Sequence, residues 1–379
     1  MGQFLIRTVI EIVVLCLLAI NVFVAKSYNT TYSLAVLLLF IVASYFLFKG
    51  KKTKNRKLGD TIYIIAGLAI IYQGFMYLLG FKTGFNTSYN SIFKNYIDAF
   101  TWIKVFAIVI LSEVLRSNLT SIEYKQKIRN SIHNTLTVLI FILFDVTICT
   151  KVYDLTIFTQ LYEFLALTIV QSAAKNIFLC HSIKKYGIWP GIIYRIIMDL
   201  HIYLLPVVPA INTYIEGIAL LLIPYMIYTT INGVNERKGL VPSKSRKKDS
   251  KIVTAITYIL FAVLVVLVSR EFDYCMIAIG SGSMSDTINK GDAIIYKKFD
   301  KKKTELEAGD IIVFNRDSMI VIHRIIKKYN IYGEEVYQTK GDANKSADNW
   351  TVKREDIVGT VEMKIPLIAW PSVILNTKY

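Results

Sequence analysis

Two kinds of hydrophobic spacing divide this chain. Up to about residue 270, apolar residues run on in blocks long enough to cross a bilayer, which takes about 20 helical residues. Nine blocks stand out, at roughly 5–24, 31–48, 60–80, 96–114, 132–150, 158–180, 188–205, 210–230 and 252–269. After residue 270 the blocks shrink to short runs separated by turn residues. Gly291-Asp292 precedes Ala-Ile-Ile-Tyr, and Gly309-Asp310 precedes Ile-Ile-Val-Phe. The run from Met319 to Ile326 is rich in β-branched residues, Asn330-Ile-Tyr-Gly333 reads as a hairpin connection, and Ile357–Ile365 reads as a last strand. Runs of this length with Gly and Asp between them predict strands. The closing apolar piece, Ile365–Asn376, is too short to span. The pattern therefore predicts a polytopic α-helical membrane domain followed by an extracytoplasmic all-β domain. The expected divisions are 1–251 with about eight spans, an anchor helix at 252–270, a β-rich unit at 271–364 and an apolar tail at 365–379.

Charge sharpens the division. The net charge is +16, and the segment after residue 270 holds sixteen basic and sixteen acidic residues, so the whole excess lies in the first 270. The basic clusters are Lys49–Lys57, Arg116–Arg129, Lys184-Lys185 and Arg237–Lys251, each between apolar blocks. They occupy alternate loops, which marks those loops as cytoplasmic rather than as a nucleic-acid surface. The N-terminus is then expected inside, the membrane is expected to be the cell membrane, and everything after Arg270 is expected outside. The four cysteines have no metal-ligand spacing, so neither a metal nor a cofactor is expected. Ionisable residues within the blocks (Lys104, Glu113, Asp145, Glu163, Lys175, Arg195, Asp199, His201 and Glu216) are expected partly at bundle-interior positions and partly at the interface.

The β-rich unit carries the chemistry. Gly280-Ser281-Gly282-Ser283-Met284 opens it, His323 is its single histidine, and Asp342 and Asp348 follow His323 by 19 and 25 residues. A serine hydroxyl needs a base to become nucleophilic, and a near-neutral imidazole suits that role. A histidine base in turn needs a carboxylate to hold its tautomer and stabilise the imidazolium. Ser281 offers a second hydroxyl toward a developing oxyanion, and the glycines let backbone approach a substrate.

These segments resemble the type I signal peptidase family. Ser281-Gly282-Ser283-Met284 with Thr287 and Gly291-Asp292 is similar to its nucleophile box. Ile322-His323-Arg324-Ile325 is similar to its general-base box, and Lys340-Gly341-Asp342-Ala343-Asn344 with Asp348 to its last box. Histidine at position 323 matches the Ser-His-Asp branch found in endoplasmic-reticulum, archaeal and sporulation-type bacterial enzymes. The resemblance implies Ser283 as nucleophile, His323 as base, Asp348 orienting the histidine with Asp342 supporting, and Ser281, Gly282 and Met284 at the oxyanion and substrate side. It implies that the partners are signal-peptide-bearing exported preproteins and the lipid bilayer. The extra N-terminal spans are expected to recruit a substrate or membrane partner. One position departs from the family: Asp286 stands where proline is usual. A different class, a membrane transport or sensing protein whose β-domain binds peptides without catalysis, stays open on the residues alone.

Overall fold

The computed structural model describes residues 2–24, 29–47, 59–88, 92, 99–149, 153–211, 213–237, 259, 273–300, 305–317, 319–331 and 333–376. The expected anchor at 252–270 (position 259 apart), the basic loop 49–57 and residues 238–251 lie outside them. The chain divides into two units, 1–245 and 246–379.

The first unit is helical. In chain order it holds α1 (Gly2–Ala19), α2 (Thr30–Leu47), α3 (Gly59–Thr83), β1 (Phe85–Thr87), α4 (Ala99–Thr120), α5 (Lys127–Thr147), α6 (Phe158–Glu163), α7 (Val170–Tyr186), α8 (Trp189–Met198), α9 (His201–Leu204), β2 (Val207–Pro209) and α10 (Thr213–Arg237). Wider π-helical turns at Ile20–Val24 and Phe164–Ile169 extend α1 and join α6 to α7. Among the described residues, six stretches are long and apolar enough to cross a membrane: Gly2–Phe23, Thr30–Leu47, Asp60–Phe81, Lys127–Thr147, Phe164–Tyr186 and Glu216–Asn235. The unit is accordingly that of a membrane-associated protein.

The expected block at 188–205 takes a different form. It is the ten-residue α8, a break at Asp199-Leu200, and the four-residue α9. Ten helical residues reach only about 15 Å, half a bilayer core. The stop at Leu205 has a local cause: it precedes Pro206 and is extended, at φ −109° and ψ 140°. Helix α4 is long enough to span but carries Lys104, Glu113 and Arg116.

Glu113 and Arg116 are compensated inside the unit. Arg195 of α8 is fully buried and meets three carboxylates: Glu113 of α4 at 3.1 Å, Asp145 of α5 at 2.7 Å and Asp199 at 2.8 Å. Lys175 of α7 approaches Asp145 at 3.1 Å and Asp199 at 2.9 Å, and Arg116 grips Glu113 at 3.0 Å. Three cations thus face three carboxylates on four helices, which removes most of the cost of placing each alone in a low dielectric. Apolar contact supplies the rest, with Leu18, Leu37, Phe40, Ile108, Leu115, Ile140, Phe141 and Phe144 in one buried cluster.

The described residues of the second unit form an antiparallel sheet of seven strands. These are β3 (Tyr274–Ala278), β4 (Ala293–Lys298), β5 (Ile311–Arg316), β6 (Met319–Ile331), β7 (Glu334–Lys340), β8 (Thr351–Lys353) and β9 (Ile357–Ile365), ordered β3-β4-β9-β5-β6-β7-β8. A short helix, α11 (Trp370–Asn376), follows. Alternate residues of a strand face opposite sides of a sheet. Central β5 uses both: Val313 joins a cluster with Cys275, Met284, Ile288, Ile294 and Tyr296, while Ile312 and Phe314 join Leu306, Ile325, Tyr337, Val352 and Ile357. A strand buried on both faces reads as an unbroken apolar run, which is why Ile311-Ile-Val-Phe314 does not alternate. Register shifts at Ile295/Tyr296, Val313/Phe314 and Ile325/Lys327 are bulge sites, and bulges bend a sheet and increase its twist.

Candidate active site

Two loops and one strand converge. Ser281 and Ser283 lie in the connection from β3 to β4, His323 in β6, and Asp342 and Asp348 in the connection from β7 to β8. The register of β6 on β7 does much of the positioning. Arg324 stands opposite Lys340, so antiparallel continuation brings His323 to Gly341. His323 is 5% exposed, with Ile312 opposite it in β5 and the Phe314 ring at 6.3 Å.

Asp348 orients the imidazole. His323 Nδ1 lies 2.6 Å from Asp348 Oδ2, and both residues are buried. With a carboxylate on Nδ1, the proton is held there and Nε2 keeps its lone pair. The free nitrogen faces the serine loop. A β-carbon built on Gly341 would stand 2.5 Å from the Ser283 carbonyl oxygen and 3.0 Å from His323 Nε2. The two atoms are therefore no further apart than those distances combined. Ala343 N–H donates to the same Ser283 carbonyl at 3.0 Å, which ties the serine loop to the loop after β7. The Ser283 hydroxyl lies 3.4 Å from that of Ser281. Among the described residues no hydrogen bond joins it to His323, and such contacts commonly close only with substrate in place.

Other expected site residues stand elsewhere. Asp342 faces Arg324 rather than the histidine, accepting from it at 2.9 and 2.6 Å. Those bonds hold the Asp342 carboxyl below the ordinary carboxylate value, with a smaller contribution from the Thr287 hydroxyl. Arg324 also donates to the Gly309 carbonyl at 2.8 Å, so the pair fastens the loop after β7 to the start of β5. Met284 is 2% exposed and packs in the cluster of Cys275 and Ile294. Its sulfur accepts the Asp342 N–H at 3.4 Å, so it anchors the serine loop from within and is not exposed at the surface. Gly282 and Ser281 remain exposed, and the Gly282 carbonyl accepts from the Ser285 amide at 3.1 Å and its hydroxyl at 2.8 Å.

Two further positions shape the loop. Asp286 has φ +77°, and its N–H donates to Asn289 Oδ1 at 3.2 Å. Proline has neither that φ nor an N–H, so this turn excludes the residue usual there in the resembled family. Asp292 accepts the Asn289 N–H at 2.9 Å and the Leu367 N–H at 3.0 Å, bonds that hold its carboxyl below the ordinary value. Gly291 has φ +93° and lies directly under the Trp370 indole, leaving no room for a β-carbon. The sequence reading missed Gly341 and Thr339 as site residues. Gly341 stood inside a recognised box, and only the register shows that it lies between serine and histidine. The described residues contain no group of side chains suited to a metal ion.

Known proteins resemble the C-terminal part of the chain. Residues 252–328 match the family model described as signal peptidase, peptidase S26. That match covers Ser283 and His323 and stops before Asp342 and Asp348. Signal peptidase I W of Bacillus subtilis (strain 168) is 34% identical over 113 residues, which is 28% of this chain and 59% of that protein. Signal peptidase complex catalytic subunit SEC11 of Candida tropicalis is 26% identical over 112 residues, 27% of this chain and 65% of the relative. The SEC11 protein of Verticillium alfalfae is 27% identical over 110 residues, again 27% of this chain, and 63% of its own length. The chain thus spans about three-fifths of the length of these curated relatives, and its helical unit lies largely outside the matched part. Residues 252–328, which include Ser283 and His323, are thus similar to the signal peptidase, peptidase S26 family.

Proposed function

We propose that the β unit is a serine endopeptidase that removes signal peptides from exported preproteins at the outer face of the membrane. The observation that carries this reading is the buried His323–Asp348 pair with its free nitrogen directed to the Gly341 position that Ser283 also borders. The Ser283 hydroxyl turns about χ1 to meet Nε2, which takes its proton as Oγ attacks the scissile carbonyl. Asp348 stabilises the imidazolium. The Ser281 hydroxyl and Ser283 N–H face the tetrahedral oxyanion. The imidazolium then protonates the leaving amine, leaving an acyl-enzyme on Ser283, and the neutral imidazole next activates a water to release it. Strand β3 is an edge of the sheet and leads into the nucleophile loop, so an extended substrate can add beside it through main-chain hydrogen bonds. Small side chains at the −1 and −3 positions suit the A-x-A type of processing site. The alternate basic loops support an inside N-terminus and an outside β unit.

Full-length protein reconstituted in vesicles, given a preprotein with Ala at −1 and −3, tests this. The N-terminus of the product is expected at the processing site, with cleavage abolished in Ser283→Ala and His323→Ala. Cleavage that survives in Ser283→Ala would overturn the role of Ser283, and absence of cleavage by the parent protein would favour the transport or sensing alternative with a peptide-binding β unit. His323→Lys is expected to stay inactive, because a lysine amine reaches differently and has lost its Asp348-held geometry.

A further inference from the structure

Thr339, next to the last residue of β7, has its side chain fully buried, and no role follows for it from the Ser-His-Asp scheme. Its hydroxyl donates to Asp348 Oδ2 at 2.7 Å. That is the same carboxylate oxygen that His323 Nδ1 approaches to 2.6 Å. The main chain repeats the hold: Asp348 N–H donates to the Thr339 carbonyl at 2.9 Å. One residue therefore grips Asp348 at both backbone and side chain, and closes the loop that carries Gly341 and Asp342.

Two consequences follow. An aspartate can present either oxygen, and a threonine, stiff at χ1, fixes which one faces the imidazole. A donor on Oδ2 also stabilises the anion, so Asp348 draws the histidine proton less strongly than an unshared carboxylate would. We propose that Thr339 is a positioning residue for the Asp348–His323 pair. It sets the orientation of the carboxylate and the pH at which His323 becomes a free base. The inference rests on the peptidase reading above.

Thr339→Val removes the hydroxyl at nearly constant volume. The buried carboxylate then lacks one donor, the His323 proton is held more tightly, and the acid limb of the kcat/KM profile moves to higher pH. A carboxylate freed to turn also lowers kcat at every pH. The expected result is a loss of about 10- to 100-fold in kcat, as is usual for outer-shell partners of a histidine. The acid limb is expected to move to higher pH, with KM little changed. Thr339→Ser keeps the donor and is expected to restore both the limb and most of kcat.

The measurement uses the full-length protein in detergent micelles and a synthetic peptide spanning an A-x-A cleavage site, with unfolding midpoints recorded for each variant. An unshifted profile with parental kcat in Thr339→Val overturns the inference. So does an activity loss shared equally by Thr339→Ser with no movement of the limb, since that is packing alone. Where Thr339→Val does not fold, Thr339→Cys, of similar size and with only a weak S–H donor, takes its place with the same expected direction. If Ser283→Ala or His323→Ala still cleaves the peptide, the peptidase reading fails. If both are inactive and Thr339→Val behaves as the parent, only the role given to Thr339 fails.

Discussion

Gly341→Ala places a single methyl group at the point where serine, histidine and loop meet. The new carbon would lie 2.5 Å from the Ser283 carbonyl oxygen, 2.8 Å from Asn344 Nδ2 and 3.0 Å from His323 Nε2. An acceptable carbon–oxygen approach is about 3.3 Å, so the serine loop and the strand end must part by roughly 0.8 Å. The asparagine can move, but the Ser283 oxygen is main chain and cannot turn aside. That oxygen also accepts the Ala343 N–H at 3.0 Å, a bond that the separation would lengthen or break. Gly341 is not among the residues of positive φ, so the penalty is steric and not conformational. Overpacking of this kind costs about 1–3 kcal/mol, and the strained hydrogen bond adds about 1 kcal/mol. Catalysis is expected to suffer more than stability, because a misplacement of about 1 Å costs on the order of a hundredfold in rate. The assay is steady-state cleavage of an A-x-A peptide by full-length Gly341→Ala, beside denaturant unfolding of the same sample. A kcat/KM within threefold of the parent would refute the placement of Gly341 between Ser283 and His323.

Asp286→Pro is expected to destabilise the nucleophile loop and lower cleavage, although it installs the residue usual in the family, whereas Asp286→Gly is expected to stabilise by roughly 1 kcal/mol because glycine reaches φ +77° without strain; thermal unfolding of the two variants decides it. Arg195→Ala leaves Glu113, Asp145 and Asp199 without their shared cation, and about 3–5 kcal/mol of stability is expected to be lost in the helical unit; unchanged resistance to unfolding in detergent would contradict the network. Asp342 titrates below the ordinary carboxylate value, so its pairing with Arg324 stabilises the fold fully above the unfolded carboxylate value of about 3.9 and ceases to do so as pH falls through the lower native value. Asp342→Asn is therefore expected to be less stable than the parent at neutral pH and equal to it in strong acid, as read by urea unfolding across pH.

The division into a helical membrane part and a β unit was legible from spacing, because span length and strand length are set by bilayer thickness and by local backbone geometry. The hairpin at Asn330–Gly333 was legible for the same reason: Gly333 has φ +88° and Asn330 Oδ1 takes its N–H at 3.0 Å, both properties of single residues. Ser283, His323 and the two aspartates could be named from residue type and order. Residue type and order left either carboxylate able to meet the imidazole, since Asp342 and Asp348 are only six residues apart in one loop, and the family resemblance was what pointed to Asp348. The β6–β7 register, the Arg324 side chain that claims Asp342, and the Thr339 hydroxyl that claims Asp348 separate them. The same holds in the helical unit, where Arg195 reads as an isolated charge until α4, α5 and α8 bring three carboxylates to it. Local pattern determines what each segment becomes; contacts between residues far apart in the chain decide which polar groups share a partner, because hydrogen bonds and ion pairs act only over the few ångströms that folding creates.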